Sequence, residues 1–205
     1  VTLFKRCAAA GGALVLAVTL AGCGSSATNN TGGTGTAPDG STTEVSEVHN
    51  EADVDFAQGM IPHHRQAVEM SSLAMEQASS EDVRQLAEEI SAAQGPEIET
   101  MTTFLQTWGE EVPDEMADMG EMDMGDMSMS GLMSPEQMAQ IEAAEGSEFD
   151  RLFLQMMTEH HQGAVEMAQV EQDEGENPQA IELAEQIEAM QMEEIERMQE
   201  LLDSI

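Results

Sequence analysis

Two adjacent imidazoles, with a thioether one helical turn before them, occur twice in this chain. Residues 56–70 read FAQGMIPHHRQAVEM and residues 153–167 read FLQMMTEHHQGAVEM. Phe56/Phe153, Met60/Met157, His63/His160, His64/His161, Val68/Val165 and Met70/Met167 are identical at a constant offset of 97. The same offset, without a gap, sets Gln94, Glu97 and Met101 against Gln191, Glu194 and Met198. Imidazole and thioether are the donor set that suits copper, above all Cu(I), whereas carboxylates suit harder ions. A duplicated unit that repeats these residues implies a site with two-fold pseudo-symmetry.

The apolar pattern that must position them has the helical period. Phe56, Met60, His63, Ala67, Met70 and Ala74 lie on one stripe, and Val83, Ala87, Ile90, Gln94, Glu97, Met101, Phe104 and Trp108 on the next. The second copy repeats both stripes. Polar residues interrupt each pair at His63 with Gln94/Glu97, and at His160 with Gln191/Glu194. Counted from the intervening turn at about 1.5 Å per residue, His63 and Glu97 differ in height by roughly 3 Å. The expectation is therefore one polar level in which Glu97 and Glu194 orient the imidazoles from behind, with direct ligation as the alternative. Gln94 and Gln191 belong to that level. Met60 shares a helix face with His63 and His64, and Met101 and Met198 fall near the level of Met60 and Met157. Only one histidine of each pair is expected squarely on the seam, leaving His64 and His161 at its edge. The competing interpretation is a set of structural core histidines with methionine as core filler.

Two helical hairpins, each with one apolar face, cannot bury those faces separately, and pairing them gives an all-α four-helix bundle. The expected division is a first hairpin over 51–109, a methionine-rich connection over 110–134, and a short helix with the second hairpin over 135–205. Ser79-Ser80 offers an N-cap for the second helix. Ser134-Pro135-Glu136-Gln137 reads as the capped start of the short helix. Gly175 and Asn177-Pro178 mark the later turn. Pro62 implies either a kink or a late helix start, and Pro96 a kink. The connection carries Met116, Met119, Met122, Met124, Met127, Met129 and Met133 among acids and glycines. With no helical or strand period, it reads as an auxiliary wrap for soft cations, or otherwise as a low-complexity linker.

Residues 1–22 read as an export signal, with Lys5-Arg6, an apolar run and then Leu20-Ala21-Gly22-Cys23, which resembles a bacterial lipobox. Cys23 is the expected lipidation site, and 23–50 a flexible tether in which His49 is inert. With Cys7 removed and Cys23 acylated, no thiol remains for a disulfide or thiolate metal site. The net charge of −35 repels nucleic acid and attracts cations. The chain offers no nucleophile with base and orienter, and no phosphate-binding glycine loop.

In these paired motifs the chain resembles the bacterial domain-of-unknown-function family 305, from about Asp53 to Ile205. The resemblance implies a ferritin-like bundle, usually exported, with some relatives binding copper in the periplasm. It carries over Met60, His63, His64, Met70, Met157, His160, His161 and Met167 as candidate ligands. The resulting expectation is a non-enzymatic protein, anchored by lipid outside the cytoplasm, that sequesters copper or passes it to a partner protein. Cu(I) is favoured and Cu(II) admitted. The alternatives are a ferritin-like di-metal oxidase or ferroxidase, and a metal-free helical interaction module.

Overall fold

A computed structural model describes residues 45–114 and 130–205. Its elements are α1 (Glu51–Gln77), α2 (Glu81–Trp108), α3 (Pro135–Ala143), α4 (Gly146–Glu174) and α5 (Pro178–Ser204). The fold is all-α: α1 with α2, and α4 with α5, form two antiparallel hairpins that pack through α1 and α4, while α2 and α5 scarcely touch. Among the described residues no helix is long and apolar enough to cross a membrane. Cys23 and the six methionines from Met116 to Met129 lie outside the described residues.

Local chemistry explains where the helices begin. Asn50 and Asp53 form a capping box at α1, Ser134 and Gln137 form one at α3, and Asn177 caps α5 ahead of Pro178. α1 runs unbroken through Pro62 and α2 through Pro96, so the late-start alternative at Pro62 does not hold. The expected cap at Ser80 is also corrected, because its side chain makes no capping bond. Asp150 supplies it from the other hairpin, accepting from Ser79 N (2.8 Å), Ser80 N (3.0 Å) and the Ser79 hydroxyl. Asp53 does the same in reverse, accepting from Asn177 N (2.8 Å) and Glu176 N (3.2 Å). Asp53 and Asp150 stand 97 apart, as do Ser80 and Asn177. Each hairpin thus clasps the turn of the other with a buried carboxylate.

The core divides into two apolar halves. One joins Met70, Val83, Leu86 and Ile90 near the α1–α2 turn to Phe149, Phe153, Met157 and Met198. The other joins Phe56, Met60, Met101 and Phe104 to Ala164, Ala180, Leu183 and Ile187 near the α4–α5 turn. On every long helix the polar seam residues lie between the segments that build these halves, so an antiparallel pairing of hairpins puts them on one level. α2 ends in the second half and α4 begins in the first, so the connection between them joins opposite ends of the bundle. Its described ends are pinned: Arg65 donates to Pro113 O and Asp114 O, and Gln66 bonds Met133 through both N and O.

Residues 45–50, the described part of the expected tether, are docked, and His49 is in contact rather than free; the signal over 1–22 and the rest of the tether lie outside the described residues. The His49 ring stacks on Trp108 with centroids 4.8 Å apart. Trp108 Nε1 donates to Ser46 O, and Asn177 Nδ2 donates to Ser46 O and Val48 O. Indole and amide donors at the end of the bundle satisfy carbonyls that a flexible segment would leave to water.

Candidate metal centre

The polar level at mid-bundle comprises His63, His64, Gln94 and Glu97 from the first hairpin and His160, His161, Gln191 and Glu194 from the second. His63 and His160 meet where α1 crosses α4, ring centroids 3.7 Å apart and inclined at 43°. His64 Nε2 donates to Glu97 Oε2 at 2.7 Å, and His161 Nε2 donates to Glu194 Oε2 at 2.8 Å. The glutamates lie at the expected level, but they meet His64 and His161 rather than His63 and His160. His64 and His161 are also not at the edge: both are 0 % exposed. Neighbouring helical positions point about 100° apart, and a helix wedged between two others buries both, one toward the crossing and one toward its own hairpin partner.

The ring nitrogens show what is left for a ligand. With Nε2 donating to a carboxylate, Nδ1 is the nitrogen of His64 and His161 that remains for a ligand. His63 Nε2 donates to Ser130 O at 3.3 Å, which likewise leaves its Nδ1 free. All four Nδ1 atoms are buried without a hydrogen-bond partner, as are His160 Nε2 and both amide atoms of Gln94 and Gln191. Each such buried atom costs about 1–3 kcal/mol, so the level is costly unless a ligand completes it. Burial, with His64 and His161 alongside, brings the His63 imidazole down to about 3. Burial and its histidine neighbours hold His160 well below the usual range. Both rings are neutral at neutral pH, the form that ligates metal.

Four thioethers flank this level. Met60 and Met101 lie in one apolar half, Met157 and Met198 in the other, all 0 % exposed and one turn from the histidines or glutamates. Met70 and Met167 lie farther along their helices, about 10 Å from His63 and His160. Met133 is buried in the first apolar half. Among the described residues, no three His, Cys, Asp or Glu side chains are spaced to hold an ion by themselves. A complete ligand set therefore needs the thioethers or a turn of the rings.

A cover closes the crossing from outside. Ser130 O faces His63, Ser130 Oγ donates to Glu166 Oε2, and Gly131 adopts φ +82 against the carbonyls of Glu159 and His160. Gly163 meets this segment so closely that a Cβ would strike the Ser130 carbonyl. Sequence reasoning missed this cover together with Asp53 and Asp150. The pairing of Gly131 with Gly163 was the available signal, and glycine is too common here to stand out.

Together these features define a duplicated helical bundle with a buried histidine level flanked by methionine. Residues 53–202 match the family described as domain of unknown function DUF305, and the chain belongs to it. A DUF305 protein from Streptomyces coelicolor is 33 % identical, over 75 % of this chain and 93 % of that one, with a TM-score of 0.66. A DUF305 fragment from Deinococcus radiodurans is 29 % identical over 76 % and 98 %, also at 0.66. CopM in its Cu(II)-bound form is 30 % identical over 74 % and 96 %, with a TM-score of 0.63, and CopM has also been solved in a Cu(I)-bound form. No curated protein matches the chain.

Proposed function

We propose that this protein binds copper at the mid-bundle level, on the outer side of a membrane to which Cys23 anchors it by lipid, and that it sequesters the metal or passes it to a partner protein. The observation that carries this reading is the group of five buried, unpartnered imidazole nitrogens between two pairs of buried methionines. Imidazoles backed by carboxylates are well-directed ligands, and thioethers bias the set toward Cu(I). The copper-bound forms of CopM, a relative of the same fold, support it.

In this reading His63, His160, His64 and His161 supply nitrogen, Glu97 and Glu194 hold the rings, and Met60, Met101, Met157 and Met198 supply sulfur. Met70 and Met167 are left out because of their distance. The methionines from Met116 to Met129 provide additional Cu(I) capacity. The di-metal oxidase alternative needs free carboxylates, whereas Glu97 and Glu194 are engaged by His64 and His161.

Thermal melts of the mature chain under anaerobic conditions, with Cu(I), Cu(II), Zn(II) and Fe(II) in parallel, test the reading. A ligand present at a thousandfold over its Kd adds about 4 kcal/mol, which raises the melting temperature on the order of 10 °C. Cu(I) is expected to give the largest rise. A larger rise with Fe(II) would point to the oxidase, and no rise with any metal to a structural bundle.

A further inference from the structure

At the end of α4, well away from the histidine level, Glu171 is a buried carboxyl that the duplication does not require. It is 1 % exposed, and neither of its oxygens has a hydrogen-bond donor. The matching residue in the first half is Ala74. Beside Glu171 lies Asp53, fully buried, which accepts from Asn50 N at 2.6 Å as well as from Glu176 N and Asn177 N. The donors around Asp53 are backbone N–H groups, so it is satisfied as an acceptor, and a proton lying between the two carboxyls resides on Glu171. Burial, reinforced by Asp53, pushes the Glu171 carboxyl up to about 9. The elements that meet here also carry Glu47 and His49 in the docked segment, Glu51 at the start of α1, Asp173, Glu174 and Glu176 at the turn, and Glu182 on α5. These carboxylates are exposed and His49 lies against Trp108.

We propose that Glu171 and Asp53 form a single-proton latch joining the segment before α1 to the α4–α5 turn, and that loss of the proton releases that segment. Two ionised carboxylates side by side in a buried site repel strongly. The relief available is withdrawal of one of them toward solvent. Asp53 is the knot of the local network: it holds Asn50 N and Asn177 N, while Asn177 Nδ2 holds Ser46 and Val48, and Asn50 Nδ2 holds Glu174 O. Disturbing it therefore undocks residues 45–50. The opposite clasp, Asp150 on Ser79 and Ser80, has Ala74 in place of the second carboxyl and carries no such proton, so only one end of the bundle responds.

The chain contains its own reporter. Trp108 is the single tryptophan and there is no tyrosine, so alkaline titration is free of phenolate signals. Trp108 touches the segment through Ser46 and His49. We expect Trp108 emission of the full chain, followed from pH 7 to 11, to shift red in one step centred near 9, while far-UV circular dichroism stays constant. In Glu171→Gln that step should vanish, and likewise in Glu171→Ala, which installs the first-half residue and guards against misfolding of the amide variant. Absence of the step in the native chain, its persistence in either variant, or a simultaneous loss of helicity would each overturn the latch.

Discussion

His63 and His160 are separated by 97 residues of sequence, yet their rings lie 3.7 Å apart where α1 crosses α4. Each comes from an equivalent place in a duplicated hairpin, so the contact falls on the pseudo-two-fold axis. The rings sit in a level that leaves five imidazole and four amide atoms without partners. An arrangement of that kind opposes folding until something binds it, and most of the following expectations derive from this tension.

Replacing both axial rings by leucine should stabilise the metal-free protein. His63→Leu with His160→Leu removes three unpartnered nitrogen atoms while keeping similar volume, and burial of apolar groups in place of unsatisfied polar ones is neutral or favourable. We expect a gain of about 1–3 kcal/mol in urea unfolding of the apo form. A loss of stability would mean that the rings contribute packing or water-mediated bonds that outweigh their desolvation.

Acid should weaken the native chain through the same residues. His63 is held down to about 3 in the folded state, against 6.5 ordinarily. The unfolded chain therefore takes up a proton that the native one refuses, and stability declines as pH falls from about 6.5 toward 3. The leucine pair should flatten this part of the pH–stability profile relative to the native chain.

Glu97→Gln together with Glu194→Gln should reduce copper affinity without changing stoichiometry. The amides keep the shape but lose the charge that fixes the tautomer of His64 and His161, and removal of such an orienting carboxylate typically costs 10–100-fold. Competition with a chelator of known affinity reads the change. An unaltered affinity would make the two glutamates structural.

The reciprocal clasps should be separable from metal binding. Asp150→Ala leaves Ser79 N and Ser80 N at the start of α2 without an acceptor, and hydrogen bonds to a charged group contribute about 1.5–3 kcal/mol. We expect a destabilisation of roughly 2–4 kcal/mol by denaturant unfolding, with copper stoichiometry intact.

The fold was legible in the sequence because helical period and an ungapped repeat both pointed to two paired hairpins. The polar level was legible because His63, Gln94 and Glu97 interrupt otherwise apolar stripes at compatible heights. Which histidine meets Glu97 was not legible, since that depends on how α1 shares its faces between α2 and α4. The clasping carboxylates were hidden for a different reason. In a chain with 41 acidic residues, two aspartates at the repeat offset carry no signal until their turn partners are seen. The docking of Ser46 and His49 on Trp108 likewise depends on where the α4–α5 turn lies, which local patterning does not encode.

If histidines from both halves build one copper site, an anaerobic Cu(I) titration against a competing chelator should separate the native chain from the His63→Leu/His160→Leu variant. The tightest binding event should disappear in the variant, while weaker capacity from the methionine-rich connection remains. Equal affinity and stoichiometry in the two proteins would contradict it and place the metal elsewhere in the chain.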